Sequence, residues 1–332
     1  MSVTIKDVAR EAGVSVATVS RVLNGNSSVS ESSAKLVRET VERLGYSPNF
    51  LGRNLRKRST NVILVIMPNA EHSLYMKICV GMQTYGQKHG YDIITASSNA
   101  TNAVESRHMN MVFNKTVDGV VLMGTSFDAQ TLNRLADNYD IALCCEGVTG
   151  ANVLTVTVDD EQAGYDAGIA LLKKGHRKIG FIGVRSTALS ATLRRNGFAR
   201  ALREYGLELD PAYLYENTYD DENGELAIER FMSLPEPPTA VFAVSDLLAM
   251  RALKKCVELG LTVGKDISII GFDNISMCEL TNPSLSTVEQ PCLKMGELVA
   301  RKLIENINSD TKDNKYYTVP HRVILRGSTG DK

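Results

Sequence analysis

The chain has 332 residues, 43% hydrophobic and 23% charged, a composition that excludes a disordered or fibrous protein and leaves room for two or three compact units. The net charge of −1 implies no polyanionic partner for the whole, yet residues 1–59 carry ten Lys/Arg against five Asp/Glu, so only the amino-terminal part suits a polyanion. No charged-then-apolar leader opens the chain, no apolar run reaches the roughly 18 residues of a membrane span, and the six cysteines (79, 144, 145, 256, 278, 292) form no CxxC pair; a cytoplasmic protein with reduced, buried thiols and no membrane contact is expected.

Ile5, Val8, Ala9 and Ala12 mark one face of a first helix with Thr4 as its cap, and Gly13 supplies the corner. A second helix follows in GVSVATVSRVLN, capped by Ser15, with Val16, Val19 and Val22 expected as its buried stripe. Its other side, Ala17, Thr18, Ser20 and Arg21, is small and nearly uncharged, which suits a helix lying flush against something. Ala9, Gly13 and Val19 have the spacing of a helix-turn-helix, and a third helix is expected over 31–44 with Ala34, Val37, Val41 and Leu44 inward. In such a unit the second helix enters the major groove of double-stranded DNA, and Arg21 offers a fork for a guanine edge. A plain helical cap would need neither the basic excess nor an under-charged helix.

Residues 3–24, VTIKDVAREAGVSVATVSRVLN, resemble the head of the LacI/GalR family of bacterial repressors. The resemblance implies that Val16 and Ala17 select the operator through shape and thymine methyls, and that Thr4, Ser15, Thr18, Asn24 and Asn49 grip phosphates. Residues 46–60, YSPNFLGRNLRKRST, place Pro48 at the start of a short helix and keep Leu51 and Leu55 four apart among basic residues. This run resembles the family's hinge helix, which implies that Leu55 wedges into the minor groove beside the partner subunit's copy. Gly52 stands where the family has alanine and lowers helix propensity by roughly 1 kcal/mol, so the hinge is expected to fold only on DNA.

From residue 61 apolar strands alternate with helical stretches: 61–67, 91–96, 117–123, 140–145, 154–158, then 178–184, 240–244 and 267–272. Two rounds of βαβ predict an α/β body of two parallel-sheet lobes with helices on both faces. Ligands of such sheets bind beyond the carboxyl ends of the strands, where Glu146, Asp246 and Asp273 stand. Asp246 reads more simply as the cap of a helix starting at Leu247, whereas no strong helix follows Asp273. Phosphate loops, nucleophile elbows and metal-ligand clusters are missing, and His176 reads as a turn or core residue; no enzyme activity, metal or cofactor is expected.

The segments GHRKIGFIG (175–183), LRRNGFARAL (193–202) and IIGFDN (269–274) are similar to the family's regulatory domain, itself like the periplasmic sugar-binding proteins. The resemblance implies a head over 1–46, a hinge helix over 47–60, one lobe of 61–159 and 289–319, and a second of 160–288 and 320–332. It also implies effector contacts at Tyr75, Glu146, Arg194 and Asp273, with Ser245 in place of a family asparagine. The protein is therefore expected to be a homodimeric repressor of a carbohydrate operon, with a sugar or related metabolite in the cleft releasing it from operator DNA. The alternative is a phosphorylated carrier protein as effector, because TIKDVAREA, EQAGYDA and VPHRVILR resemble the family's catabolite-control branch and Arg301 matches its carrier-contacting arginine; Lys294 departs from that branch's aspartate. A free-standing solute-binding protein is the third reading, and the basic head speaks against it.

Overall fold

The computed structural model describes residues 3–23, 29–46, 59–99, 101–185, 188–217 and 222–332. By its internal contacts the chain divides into two compact units, Met1–Thr60 and Asn61–Lys332.

The first unit holds helices α1 (Ile5–Glu11), α2 (Val16–Leu23) and α3 (Glu31–Leu44). The Thr4 hydroxyl accepts from the Asp7 backbone N–H while the Asp7 carboxylate accepts from the Thr4 N–H at 3.0 Å, so both ends of a capping box are closed. Gly13 takes φ 63° at the corner, and the Ser15 hydroxyl caps α2 by accepting from the Thr18 N–H at 3.0 Å. Val8, Ala9, Ala12, Val19, Val22 and Val37 form the buried centre. Ala34, Val41 and Leu44 are half-buried against it, and Thr40 joins the interior by donating its hydroxyl to the Leu36 carbonyl. Val16 corrects the expected stripe: it is 42% exposed. A three-residue repeat drifts around a helix of 3.6 residues per turn, so three consecutive steps do not stay on one face. Asn24, Asn49, Gly52 and Leu55, and with them the expected hinge helix, lie outside the described residues.

In the second unit the described strands form two sheets of six. The first runs β11 (Tyr316–Thr318), β5 (Leu154–Thr157), β4 (Asp140–Cys144), β3 (Gly119–Leu122), β1 (Val62–Met67), β2 (Asp92–Ser97). The second runs β12 (Arg322–Ile324), β10 (Ser286–Glu289), β9 (Ser268–Asp273), β8 (Ala240–Ala243), β6 (Ile179–Val184), β7 (Leu214–Asn217). Every pairing is parallel except β10 with β12. Along β1, Ile63, Val65 and Met67 enter one core and Leu64 and Ile66 another, which is why its sequence is apolar without alternation. The chain passes between the sheets after β5, after β10 and between β11 and β12.

Helix α4 (Ser73–Lys88) follows β1, α5 (Asn102–Phe113) follows β2 and α6 (Ala129–Ala136) follows β3. Helices α7 (Asp160–Lys173) and α8 (Leu189–Glu204) flank β6 and pack on each other, followed by α9 (Asn223–Met232) and α10 (Asp246–Glu258). Last comes α11 (Cys292–Ile307), which returns to the first sheet and packs on α4. The close crossings rest on glycine: a Cβ on Gly197 would overlap the Glu161 carbonyl oxygen, and one on Gly296 the Ile78 carbonyl oxygen. Strands β7, β10, β11 and β12 escaped the sequence reading because they are three or four residues long and carry polar side chains (LYEN, STVE, YYT, RVI).

Candidate recognition face and effector cleft

In the head, burying Val19 and Val22 turns Val16, Ala17 and Arg21 outward; Thr18 and Ser20 are half-buried beside them. The first turn of α2 has no acidic residue, so no carboxylate offsets the positive end of its helix dipole. Ser15 and Thr18 share a hydroxyl contact at 2.9 Å at that end, and Thr4 is exposed at the start of α1.

In the body, Asp273 ends β9 with 3% exposure. It accepts from Gln290 Nε2 at 2.8 Å, and His72 of the first lobe places Nε2 4.0 Å from its other oxygen. Asp273 has φ 121° and Asn274 φ 55°, two consecutive residues in a region that favours glycine. Burial pushes the Asp273 carboxyl up, and the charges of Arg194 and His72 pull against that. Arg194 donates to Asp160 Oδ1 at 2.8 Å and to the Val244 carbonyl at 2.9 Å, with its guanidinium 3.5 Å over the Phe272 ring. Burial pushes Asp160 up as well, opposed by the charge of Arg194.

Glu146, beyond β4, reaches the other lobe, where helix α8 has no side-chain cap of its own at Ala188. The carboxylate accepts there from the Ser190 N–H at 2.9 Å and the Ser190 hydroxyl at 2.6 Å. Burial pushes its carboxyl up and those bonds oppose it. Tyr75 is half-buried with its ring 5.3 Å from that of His72. A cavity of about 190 Å³ opens beside Asp273, Asn274 and Ile275, bordered across the cleft by Ser73, Leu74 and Lys77.

Two readings of residue roles change. Asp246 does not cap its helix; Ser245 does, its hydroxyl accepting from the Leu248 N–H at 3.4 Å. Fully buried Asp246 instead accepts from the Ile275 N–H (2.9 Å), the Cys278 thiol (3.0 Å) and the Thr287 hydroxyl (2.6 Å), holding the turn that follows Asp273. The expected effector residue Ser245 is thus 8% exposed and engaged with its own helix. Asp273, Arg194, Glu146 and Tyr75 gather at the cleft directly or through Asp160, Phe272 and His72. The sequence reading passed over His72, Asp160, Phe272 and Gln290; His72 stands beyond the carboxyl end of β1, and the rule that singled out Glu146 would have found it.

Elsewhere, His176 is 3% exposed between the Thr239 and Ser268 hydroxyls, and burial lowers its pKa. All six cysteines are buried and free. Lys294 and Arg301 are exposed on α11. Among the described residues, no group of three or more His, Cys, Asp or Glu is arranged to hold a metal ion and no helix is long and apolar enough to cross a membrane.

Residues 4–49 match the family described as bacterial regulatory proteins, lacI family, and residues 170–329 match a periplasmic binding protein-like domain. The chain is 35% identical over 331 residues to catabolite control protein A of Priestia megaterium, covering 99% of this chain and 100% of that one. It is 32% identical to the HTH-type transcriptional repressor CytR of Escherichia coli K12, covering 98% and 96%. Among solved structures it is similar to a complex of the transcriptional regulator CelR with cellobiose, with TM-score 0.74, 26% identity and coverage of 98% and 99%.

Proposed function

Because the chain belongs to the lacI family of bacterial regulatory proteins, it is a sequence-specific DNA-binding transcriptional regulator, and we propose that it acts as a metabolite-gated switch on operator DNA. The observation that carries the DNA half is the outer face of α2, where Val16, Ala17 and Arg21 stand exposed over a closed core of Val8, Val19 and Val37. In this reading two chains pair as a homodimer and set two heads on a near-palindromic operator. Arg21 forks onto a guanine, Val16 and Ala17 meet thymine methyls, and Thr4, Ser15, Thr18, Asn24 and Asn49 hold phosphates. Leu55 wedges the minor groove from a hinge helix over 47–60.

The effector half is assigned to the cleft between lobe one (61–159 and 289–319) and lobe two (160–288 and 320–332). Asp273 and Glu146 present carboxylates suited to hydroxyl donors, with Arg194 and Tyr75 beside them and Ser245 acting through its helix. A sugar or related metabolite fits this set of acceptors and donors, and a cellobiose complex of a similar regulator supports a saccharide. Binding that favours one lobe arrangement shifts operator affinity only by the difference between its affinities for the two arrangements. The cleft is assigned to binding alone, without catalysis. A phosphorylated carrier protein at exposed Arg301 is the second reading; Lys294 in place of the catabolite-control branch's aspartate ranks it below the metabolite.

Selection from random double-stranded oligonucleotides tests the DNA half. The expected outcome is a near-palindromic site, with Arg21→Ala relaxing one base position per half-site and weakening specific binding by about 1–3 kcal/mol. An unchanged site preference in that variant refutes the placement of α2 in the groove.

A further inference from the structure

We propose that Tyr316 is the stacking platform of a second saccharide subsite beside the effector cleft, where one more sugar unit lies on its ring and turns its hydroxyls into a cavity at the junction of the lobes. The inference rests on the reading of the cleft as a saccharide site and extends that site by one unit.

Small-molecule sites set aromatic faces against the apolar side of a ligand, and this chain has no tryptophan for that task. Among the described residues the exposed aromatic rings are those of Phe113, Tyr205 and Tyr316. Phe113 pairs with Tyr139 at 5.2 Å, and the Arg177 guanidinium lies 5.5 Å over Tyr205. Tyr316 is the most open of the three at 54%, and among the described residues neither a ring nor a cation covers it. One exposed tyrosine is ordinary on a surface, so its position decides.

Tyr316 begins β11, the edge strand of the first sheet, opposite Thr155 of β5. Its ring edge and hydroxyl pass over Gly147, the residue after Glu146: a Cβ there would stand 3.2 Å from Cε2 and 3.4 Å from the hydroxyl oxygen. Burial of that end, and then the charges of Asp160, Glu146 and Asp159, push the hydroxyl up to about 12, so it stays a neutral donor. Among the described residues it has no hydrogen-bond partner. Glu146 and Asp160 belong to the cleft. On the other side Thr318, two residues on and so on the same face of β11, lines a cavity of about 240 Å³ with Asp159, Asp166 and His321. Asp166 is held in place, accepting from Gln162 Nε2 at 2.9 Å and lying 2.9 Å from His321 Nε2. Tyr316 thus stands between the cleft and this cavity, which is small beside the sites of drug-sized ligands and suits a single sugar ring. Carboxylates that accept and hydroxyls of Tyr316 and Thr318 that donate match sugar hydroxyls, which do both. The carboxyl groups of Glu146, Asp159, Asp160 and Asp166 outnumber the Arg194 guanidinium, so a phosphate ester finds no counter-charge and the added unit is uncharged. The effector is then a saccharide of two units, one between the lobes at Asp273 and one over Tyr316.

Isothermal titration calorimetry of the full-length chain tests this with uncharged sugars in matched sets: glucose with cellobiose and maltose, galactose with lactose. At least one disaccharide is expected to bind about tenfold more tightly than its monosaccharide, the scale of one ring stacked on another. Tyr316→Ala should remove that advantage and leave the monosaccharide affinity within about twofold, whereas Tyr316→Phe, which keeps the ring, should retain most of it. Tyr205→Ala, an exposed ring elsewhere, should change neither. A disaccharide advantage that survives in Tyr316→Ala, or one lost equally in Tyr316→Phe, overturns the platform. Asp273→Ala should weaken both kinds of sugar, so binding that survives there sinks the cleft reading instead, and a chain that binds none of these sugars sinks both. Melting curves of each variant separate loss of binding from loss of the fold.

Discussion

At Asp246, burial and the charge of Asp273 push the carboxyl from 3.8 up to about 7. Folding therefore favours its protonated form: this contribution to stability is complete below about pH 4 and is lost as pH rises through about 7. Urea melts across that window should show the wild type losing stability with rising pH relative to Asp246→Asn, which has no proton to release; parallel curves would contradict the shift. Asp273 serves differently, since it faces the cleft while Asp246 holds the turn behind it. Asp273→Ala is expected to abolish the response of operator binding to effector and to leave effector-free operator affinity unchanged, measured by fluorescence anisotropy with labelled operator. Equal loss of binding with and without effector would make Asp273 a structural residue.

Among elements, the helix pairs depend on features too small to show in a hydrophobic pattern. Helix α8 crosses α7 where Gly197 faces the Glu161 carbonyl, and Gly197→Ala would drive the two apart. A loss of about 3 kcal/mol in body stability is expected, at the upper end of overpacking effects, and a wild-type melting temperature would show that the crossing can relax. In the head, Thr4→Ala opens the capping box of α1 at a cost of about 1 kcal/mol. That loss should appear as faster hydrogen exchange in α1 with the body unaffected. Thr4 was legible in the sequence because a cap acts over three residues, whereas the glycine crossings join segments more than thirty residues apart.

For the whole molecule, the division at Thr60 and the uneven charge lead to one expectation. A chain starting at Asn61 should melt in a single transition, keep its ligand response in a thermal-shift screen and lose operator binding. Operator affinity of the full chain should fall steeply with salt, with a slope of about −0.9 per phosphate neutralised. A salt-independent affinity would remove the basic head from the interface.

The caps at Thr4 and Ser15, the corner at Gly13, the apolar strands and the carboxylates at strand ends were determined by the sequence alone, because each is set by neighbours a few residues away. Tertiary structure decided the rest. It turned Val16 outward, gave the cap to Ser245 and the buried turn to Asp246, paired Arg194 with Asp160, and brought His72 opposite Asp273. These outcomes depend on which side chains from distant strands and helices arrive at the same place with water excluded, and only the packed chain contains that information.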